Sequence, residues 1–393
     1  MTARHRRRWL MLALGVNAHA SVTLGLAGLP LVIPDLQRHF GVSLPVAAII
    51  GNAPAIGILF ALVAWGALAD RYGERLVLGL GVGTAALLFA AASLAENAWA
   101  MVGLLAPAGA AGCAALVGGG RIVLRWFDPP ERGVAMGVRQ VSYTLGMAVA
   151  GFTLPPVAQA YGISGVMLVC AGVSLLAAVL AAAFLAEPPH AVAGGAREPA
   201  GSPYRQPALW RVHATSGLHV VPQFVVGTYG VACLVEVYGW DGVAAGRLFA
   251  GAAVAGAVTR VAAGRWSDLT GLRMAPLRLL TFAALATLAL LVLGTYDGST
   301  LGVAMLALAA VITVAGNGLA YLAAGELAGP AAAGRVLGTH NTVQNVVALA
   351  VTPLAGLLIT QSGYWAAFAA GLACLLISVP VIPVRHERRA RAG

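Results

Sequence analysis

The sequence predicts an all-α membrane protein whose twelve transmembrane helices form two pseudo-symmetric six-helix bundles. Three observations support this fold class: an apolar composition, a series of long apolar runs, and a charged turn that occurs twice. Hydrophobic residues make up 60% of the 393 residues and charged residues only 10%, whereas soluble domains average about 45–50% and about 25%. Lipid is therefore the expected environment of most of the chain.

Twelve apolar runs are each long enough to cross a membrane, because a hydrocarbon core of about 30 Å needs roughly 20 residues of helix. We expect the spans at residues 9–34, 45–69, 76–95, 100–124, 134–158, 165–186, 209–235, 243–265, 277–295, 300–322, 336–361 and 365–384. The longest polar interval, 187–208, contains Pro, Gly and charged residues, which are typical of linkers. We therefore expect an N-terminal bundle (1–186), a cytoplasmic linker (187–208) and a C-terminal bundle (209–393).

The arginines predict the orientation of the spans. Arginine is concentrated at both termini, in the central interval and in the loops after spans 2, 4, 8 and 10, whereas only Arg38 and Arg247 lie on the opposite side. Cytoplasmic loops carry the excess of positive residues, so both termini are expected in the cytoplasm of a bacterial cell, with the chain crossing the cytoplasmic membrane many times. This rule also accounts for the net charge of +10, and we expect no nucleic-acid partner.

The sequence gives no sign of a metal, a cofactor or an enzymatic site. The four cysteines lie singly within apolar runs, no His/Cys cluster has metal-ligand spacing, and there is no phosphate-binding loop. The segment 162–165 spells a G-x-S-G motif, but no base is placed to activate its serine. We therefore expect neither ATP hydrolysis nor any other enzymatic activity.

The charged turn indicates an internal duplication. Residues 66–75 return as residues 264–273, and each copy lies between two long apolar runs. The positions that agree are Gly66 with Gly264, Asp70 with Asp268, Gly73 with Gly271, and Arg75 with Arg273. A second repeat opens the fifth and eleventh spans and pairs Gly137 with Gly338, Arg139 with His340, and Gln140 with Asn341. Parallel repeats of this kind build one large class of secondary transporters.

The turn resembles the signature of the major facilitator superfamily, G-x-x-x-D-R-x-G-R-R, and the twelve-span layout is similar to that family throughout. The residues of the first copy that match are Gly66, Asp70, Arg71, Gly73 and Arg75. Glu74 stands where the family has Arg, and the second copy keeps Gly264, Asp268, Gly271 and Arg273. The resemblance implies that Asp70 helps to lock the outward-open state against the start of the eleventh helix. A carboxylate is favoured at that end of a helix dipole.

Charged residues inside a span are costly and are candidates for function. Arg260 lies about two helical turns before Asp268 in the eighth span, a position that resembles the substrate-binding Arg of monocarboxylate and oxalate carriers in the superfamily. Its planar guanidinium suits a carboxylate, although a long side chain there could instead reach back to the interface. Arg139 with Gln140, inside the fifth span, is the second candidate. For Arg121 we favour a structural or gating role.

Histidines and amides complete the set of polar residues within spans. The candidates for substrate contact are His19, His219, Gln223, Asn317, His340, Asn341 and Gln344. His219 and Gln223 are spaced i, i+4 and share a helix face. The alternative for each is a hydrogen bond between helices, and one of the histidines could carry a coupling proton.

These observations predict a secondary active transporter for a small organic anion, with a carboxylate as the expected class. No Asp or Glu is predicted deep in a span, so a mobile anion is the natural partner of the embedded arginines. The partners expected are this anion, a coupling proton in a symport mechanism, and the lipid bilayer, with the protein acting as a monomer. A drug or secondary-metabolite exporter of the same family is the alternative, and a non-transporting sensor is a third class.

Overall fold

A computed structural model describes residues 3–186 and 202–387 of the chain, with side chains from residue 6 onward. Of the predicted linker 187–208, residues 187–201 lie outside the described residues. The helices described are α1 (Ala3–Ala27), α2 (Ile33–Phe40), α3 (Leu44–Ala92), α4 (Ala98–Gly112), α5 (Ala114–Trp126), α6 (Arg132–Phe184), α7 (Pro207–Glu236), α8 (Gly242–Thr270), α9 (Met274–Tyr296), α10 (Thr300–Ala315), α11 (Asn317–Ala328), α12 (Ala333–Ser362) and α13 (Tyr364–Val381). Within these two ranges there is no β-strand.

The described residues contain ten continuous helical stretches that are long and apolar enough to cross a membrane. Two of them are interrupted by a glycine with non-helical backbone: α3 at Gly73 (φ 81°) and α6 at Gly162 (φ 68°). Each interruption separates two predicted spans, so the ten stretches accommodate the twelve spans. The all-α membrane fold class is thereby confirmed.

Some spans differ in detail from the prediction. The first apolar run was expected to be one helix over 9–34, but α1 ends at Ala27 and a short 3-10 turn, Leu29–Val32, leads into α2. Pro30, which lacks a backbone N–H, ends the regular hydrogen bonding although the apolar run continues. Spans 4 and 10 each consist of two helices, α4 with α5 and α10 with α11, and the two interruptions occur at corresponding places in the duplicated halves.

The chain divides into two compact units. Unit 1 comprises Met1–Asp128, Val141–Glu198 and Ala328–Thr342. Unit 2 comprises Pro129–Gln140, Pro199–Leu327 and Val343–Gly393. Each unit therefore includes a short segment from the opposite half of the sequence, and these two segments, at the starts of α12 and α6, are those that carry the second repeat.

Each unit has its own apolar core and an apolar exterior. In unit 1 Phe89 and Met101 are fully buried, and in unit 2 Leu288 and Phe368 occupy the corresponding interior. Phe60 and Phe152, by contrast, are 82% and 85% exposed. Large exposed side chains on an apolar helix surface are expected where lipid surrounds the protein.

Candidate functional site

Asp70 caps the first turn of α12 within unit 1. Its Oδ1 accepts a hydrogen bond from the backbone N–H of Gly334 (2.7 Å), and its Oδ2 accepts one from Arg335 (3.0 Å). The first N–H groups of a helix have no partner within the helix, and the helix dipole favours a negative charge there. The carboxylate therefore fixes the turn that carries it to the start of α12.

Asp268 makes the equivalent contact within unit 2. Its Oδ1 accepts from the N–H of Gly133 (2.8 Å) and its Oδ2 from the N–H of Val134 (2.9 Å), both at the start of α6. The duplicated turn thus builds the same cap twice, each time on the segment that carries the second repeat.

The first glycine of each turn allows the backbones to approach closely. A Cβ atom placed on Gly66 would collide with the carbonyl oxygen of Gly334, and one on Gly264 would collide with that of Gly133. Any larger residue would have to push the capped helix away from the carboxylate.

We expect Gly264→Ala to lower the melting temperature of the purified protein, because overpacking of this kind costs about 1–3 kcal/mol. The matched control is Gly251→Ala in the same helix, where an added Cβ meets no atom within 4 Å and alanine is the better helix former. A melting temperature of Gly264→Ala equal to that of the control would show that the close approach is not required.

A buried arginine connects each capping aspartate to a glutamate. In unit 1, Arg121 donates from Nη1 to Asp70 (2.5 Å) and from Nε to Glu74 (2.9 Å), and Arg125 also pairs with Glu74 (2.8 Å). Glu74, the departure from the family pattern, is therefore a buried ion-pair partner. Sequence reasoning gave Arg121 a structural or gating role but did not identify its partners.

Unit 2 has the same Asp–Arg–Glu triad, but its arginine comes from the turn and its glutamate from a helix. Arg273, from the turn, donates from Nη1 to Asp268 (2.7 Å) and from Nη2 to Glu326 of α11 (3.2 Å). Burial disfavours the charged form of Arg273, but Glu326 and Asp268 more than offset this and raise the pKa of the guanidinium above its ordinary value. Unit 1 takes its arginine from a helix and its glutamate from the turn, whereas unit 2 does the reverse.

The remaining predicted residues of the turn have local roles. Gly73 and Gly271 adopt positive φ angles (81° and 63°), which glycine tolerates best. The guanidinium of Arg71 lies over the ring of Tyr72 at 5.3 Å, and Arg75 donates to the carbonyl oxygen of Ala182 (2.6 Å) at the end of α6.

The two predicted substrate-binding arginines meet at Gln140 within unit 2. Arg139, only 3% exposed, donates to the Oε1 of Gln140 and lies over the ring of Tyr321, 4.9 Å from its centroid. Arg260 of α8 donates from Nη1 to the backbone oxygen of Gln140 (3.0 Å) and from Nε to that of Val314 (3.4 Å). These contacts, all to neutral groups, orient the two guanidinium groups toward Gln140.

Tyr321 was not among the residues predicted from the sequence. It lies in α11 and is 1% exposed, one of the largest fully buried side chains described. Its place in the tenth span, which also carries the candidate Asn317, was an available signal. An isolated tyrosine in an apolar run is more often a packing residue, so the sequence alone did not single it out.

An amide pair lies beside this cluster. Asn317 donates from Nδ2 to the Oε1 of Gln223 (2.7 Å), which joins α11 to α7. Gly318, the next residue, packs against Gln140, whose Cγ would lie 3.6 Å from an added Cβ. Gln223 and Asn317 are both half-buried.

His219 contacts other helices than Gln223 does, although the two share a helix face. Its Nε2 lies 3.2 Å from the Thr281 hydroxyl of α9 and 3.2 Å from the Ser378 hydroxyl of α13. It also borders a cavity of about 20 Å³ that Thr281, Thr313 and apolar side chains line, which is room for about one water molecule. The structure therefore brings His219 to a packing interface inside unit 2 rather than to the Arg139–Arg260 cluster.

The other predicted residues are distributed over both units. In unit 1, His19 lies with Nδ1 2.6 Å from the Ser142 hydroxyl, and His340 and Asn341 are buried in the segment at the start of α12. In unit 2, Gln344 donates to the Ser216 hydroxyl (2.6 Å). Among the described residues, no group of three or more His, Cys, Asp or Glu is arranged to hold a metal ion.

Comparison with known proteins finds relatives that are named as transporters. The sequence profile described as Major Facilitator Superfamily matches residues 15–353. The chain is 39% identical over 393 residues to the MFS-type transporter Rv2994 of Mycobacterium tuberculosis H37Rv, covering 98% of this chain and 88% of that protein. It is 32% identical over 155 residues to the probable anion transporter 4, chloroplastic, of Arabidopsis thaliana, covering 39% of this chain and 28% of that protein.

Solved structures show the same fold. The human organic anion transporter MFSD10 (TETRAN) superposes with a TM-score of 0.77 at 17% identity, covering 97% of this chain and all of that one. The Escherichia coli fucose:proton symporter FucP superposes with a TM-score of 0.74 at 16% identity, covering 95% and 98%. At these identities the likeness extends to the fold alone.

Proposed function

Because the chain belongs to the major facilitator superfamily, and is therefore a multi-pass membrane transporter rather than an enzyme, we propose that it moves a small organic anion by alternating access. A carboxylate is the expected substrate class and the bacterial cytoplasmic membrane the expected location, with both termini in the cytoplasm. The observation that carries the proposal is the convergence of Arg139 and Arg260 on Gln140.

Two guanidinium groups, those of Arg139 and Arg260, donate to one residue of unit 2, Gln140. Cations inside a membrane span cost free energy unless a polar or anionic partner compensates them. Carbonyl, amide and ring contacts orient Arg139 and Arg260, and a carboxylate would in addition neutralise charge and accept paired hydrogen bonds. An anionic substrate therefore has more to gain here than a neutral one.

Among the relatives, the Arabidopsis protein is named as a probable anion transporter, which favours an anion without identifying it. Gln223, Asn317 and Gln344 are proposed as neutral hydrogen-bonding groups for the rest of the substrate.

We assign two further roles as part of this proposal. Asp70 and Asp268, each capping a helix that begins in the opposite half of the sequence, act as the gating residues of the transport cycle. His19, whose Nδ1 contacts the Ser142 hydroxyl, is our candidate for the coupling proton, since histidine serves as a proton shuttle in proteins. The protein is expected to act as a monomer.

The proposal is tested by competition in proteoliposomes at fixed pH. We expect uptake of a labelled carboxylate to be inhibited by the unlabelled acid, and about 100-fold less by its neutral amide, because a partner that leaves a buried Arg uncompensated loses about 2–5 kcal/mol. A lipophilic cation is expected not to compete. Equal inhibition by the amide, or stronger inhibition by the cation, would favour the alternative, an exporter of drugs or secondary metabolites.

A further inference from the structure

Glu387, in the segment that follows α13, caps the N-terminus of α9. Its Oε1 accepts from the backbone N–H groups of Arg273 and Met274 (3.1 Å from Met274), and its Oε2 accepts from Met274 (3.0 Å) and Ala275 (3.3 Å). Three consecutive N–H groups at the start of the helix are thus satisfied by one carboxylate. A negative charge is stabilised at this position by the helix dipole.

Arg273, whose backbone N–H binds Glu387, is also the central residue of the unit 2 triad. The backbone N–H of Arg273 donates to Glu387, while its side chain donates to Asp268 and Glu326 and to the carbonyl oxygen of Pro129 (2.8 Å). Asp268 in turn caps α6. A chain of contacts therefore runs from the segment after α13, through Arg273, to the start of α6.

The two units differ in how a carboxylate reaches the start of the helix that follows the turn. In unit 1, Glu74 follows Gly73 and supplies a buried acid within the first turn of the following helix. The equivalent residue of unit 2, after Gly271, is Leu272, which has no charge. Glu387 brings a carboxylate to the helix start whose own turn lacks one.

We infer that Glu387 is a positioning residue, which holds Arg273, and through it Asp268, against the start of α6. Its effect on transport rests on the gating role proposed for Asp268, whereas the contacts themselves do not. Its role is separate from the chemistry of the transported substrate. Removing it is expected to weaken both caps: the one it forms on α9, and the one that Asp268 forms on α6.

The test is hydrogen–deuterium exchange of the full-length chain in lipid nanodiscs without ligand. In Glu387→Ala we expect the amides of residues 273–275 to exchange about fivefold faster, the loss typical of a helix cap. We expect the amides of Gly133 and Val134, which Glu387 does not touch, to exchange at least about twofold faster. The control Glu96→Ala removes an exposed carboxylate from unit 1 and should change neither region.

A rescue variant tests the comparison with unit 1. Adding Leu272→Glu to Glu387→Ala places an acid in the turn itself, as Glu74 is in unit 1, and should restore slow exchange in both regions. Faster exchange confined to residues 273–275 would overturn the positioning role and leave a local cap. If the amides of the double variant exchanged as fast as those of Glu387→Ala, an acid in the turn could not replace Glu387. The idea that Glu387 substitutes for the acid missing from this turn would then be wrong.

Discussion

Arg260→Ala is expected to lower uptake of a labelled carboxylate into proteoliposomes at least about 30-fold, and Arg260→Lys nearly as much. Removing one member of a buried charge pair costs about 2–5 kcal/mol, and each 1.4 kcal/mol corresponds to a factor of ten. Lysine keeps the charge but loses the planar fork that can bind a carboxylate with two parallel hydrogen bonds. It also cannot reach Gln140 and Val314 with the same fixed geometry.

The matched control for this prediction is Arg265→Ala, which removes an exposed arginine from the same helix and should leave uptake within about twofold of the unaltered protein, as surface substitutions usually do. Melting temperatures of all variants establish that the protein is folded. Near-normal uptake by Arg260→Lys would reject recognition through paired hydrogen bonds. Near-normal uptake by Arg260→Ala would remove Arg260 from the substrate site.

The fold class could be predicted because the membrane imposes strong local rules. A helix must be long and apolar to cross the bilayer, so apolar runs in the sequence correspond to helices in the structure. The turn at Gly73 was also accessible, because a positive φ angle selects glycine and the surrounding charges break the apolar run. The break after Ala27 was missed, because the residues that form it are themselves apolar.

The partners of the polar residues could be predicted far less well. Helical spacing indicates that His219 and Gln223 share a face, but not that one meets α9 and α13 while the other meets α11. Glu74 could be recognised only as a departure from a pattern, because its partner Arg121 is 47 residues away. Glu387 is 114 residues from Arg273, and nothing local in the sequence connects them. Such pairs depend on how helices rotate and pack in three dimensions.

The duplication also has a physical consequence that the sequence did not reveal. The two halves keep the aspartate and the glycines of the turn, which the backbone geometry requires, but they exchange the elements that supply the arginine and the glutamate of the triad. A buried ion pair requires one group of each charge in suitable geometry, whichever element supplies either group. Its members can therefore move between turn and helix while the capping function of Asp70 and Asp268 stays the same.

Asp70→Asn is expected to reduce transport about tenfold or more by shifting the protein toward its inward-open state. The carboxylate accepts from two N–H groups of α12 and from Arg121, and hydrogen bonds to a charged group contribute about 1.5–3 kcal/mol each. An amide keeps the shape but loses the charge, and it leaves Arg121 with Glu74 alone in the triad. A group can shift a conformational equilibrium only if it contacts one state more than the other.

The shift is measured by labelling single reporter cysteines in the outer halves of the spans from the external face, in a background whose four native cysteines are serine. We expect labelling to slow in Asp70→Asn, while the apparent affinity for substrate changes less than the labelling rate does. Asp35→Asn is the matched control, because Asp35 is another unit 1 carboxylate, paired with Arg38 at 2.6 Å outside the turn. It should label at the unaltered rate. Unchanged labelling in Asp70→Asn would rule out the gating role, since the cap on α12 would then be equally present in both states and could not bias either one.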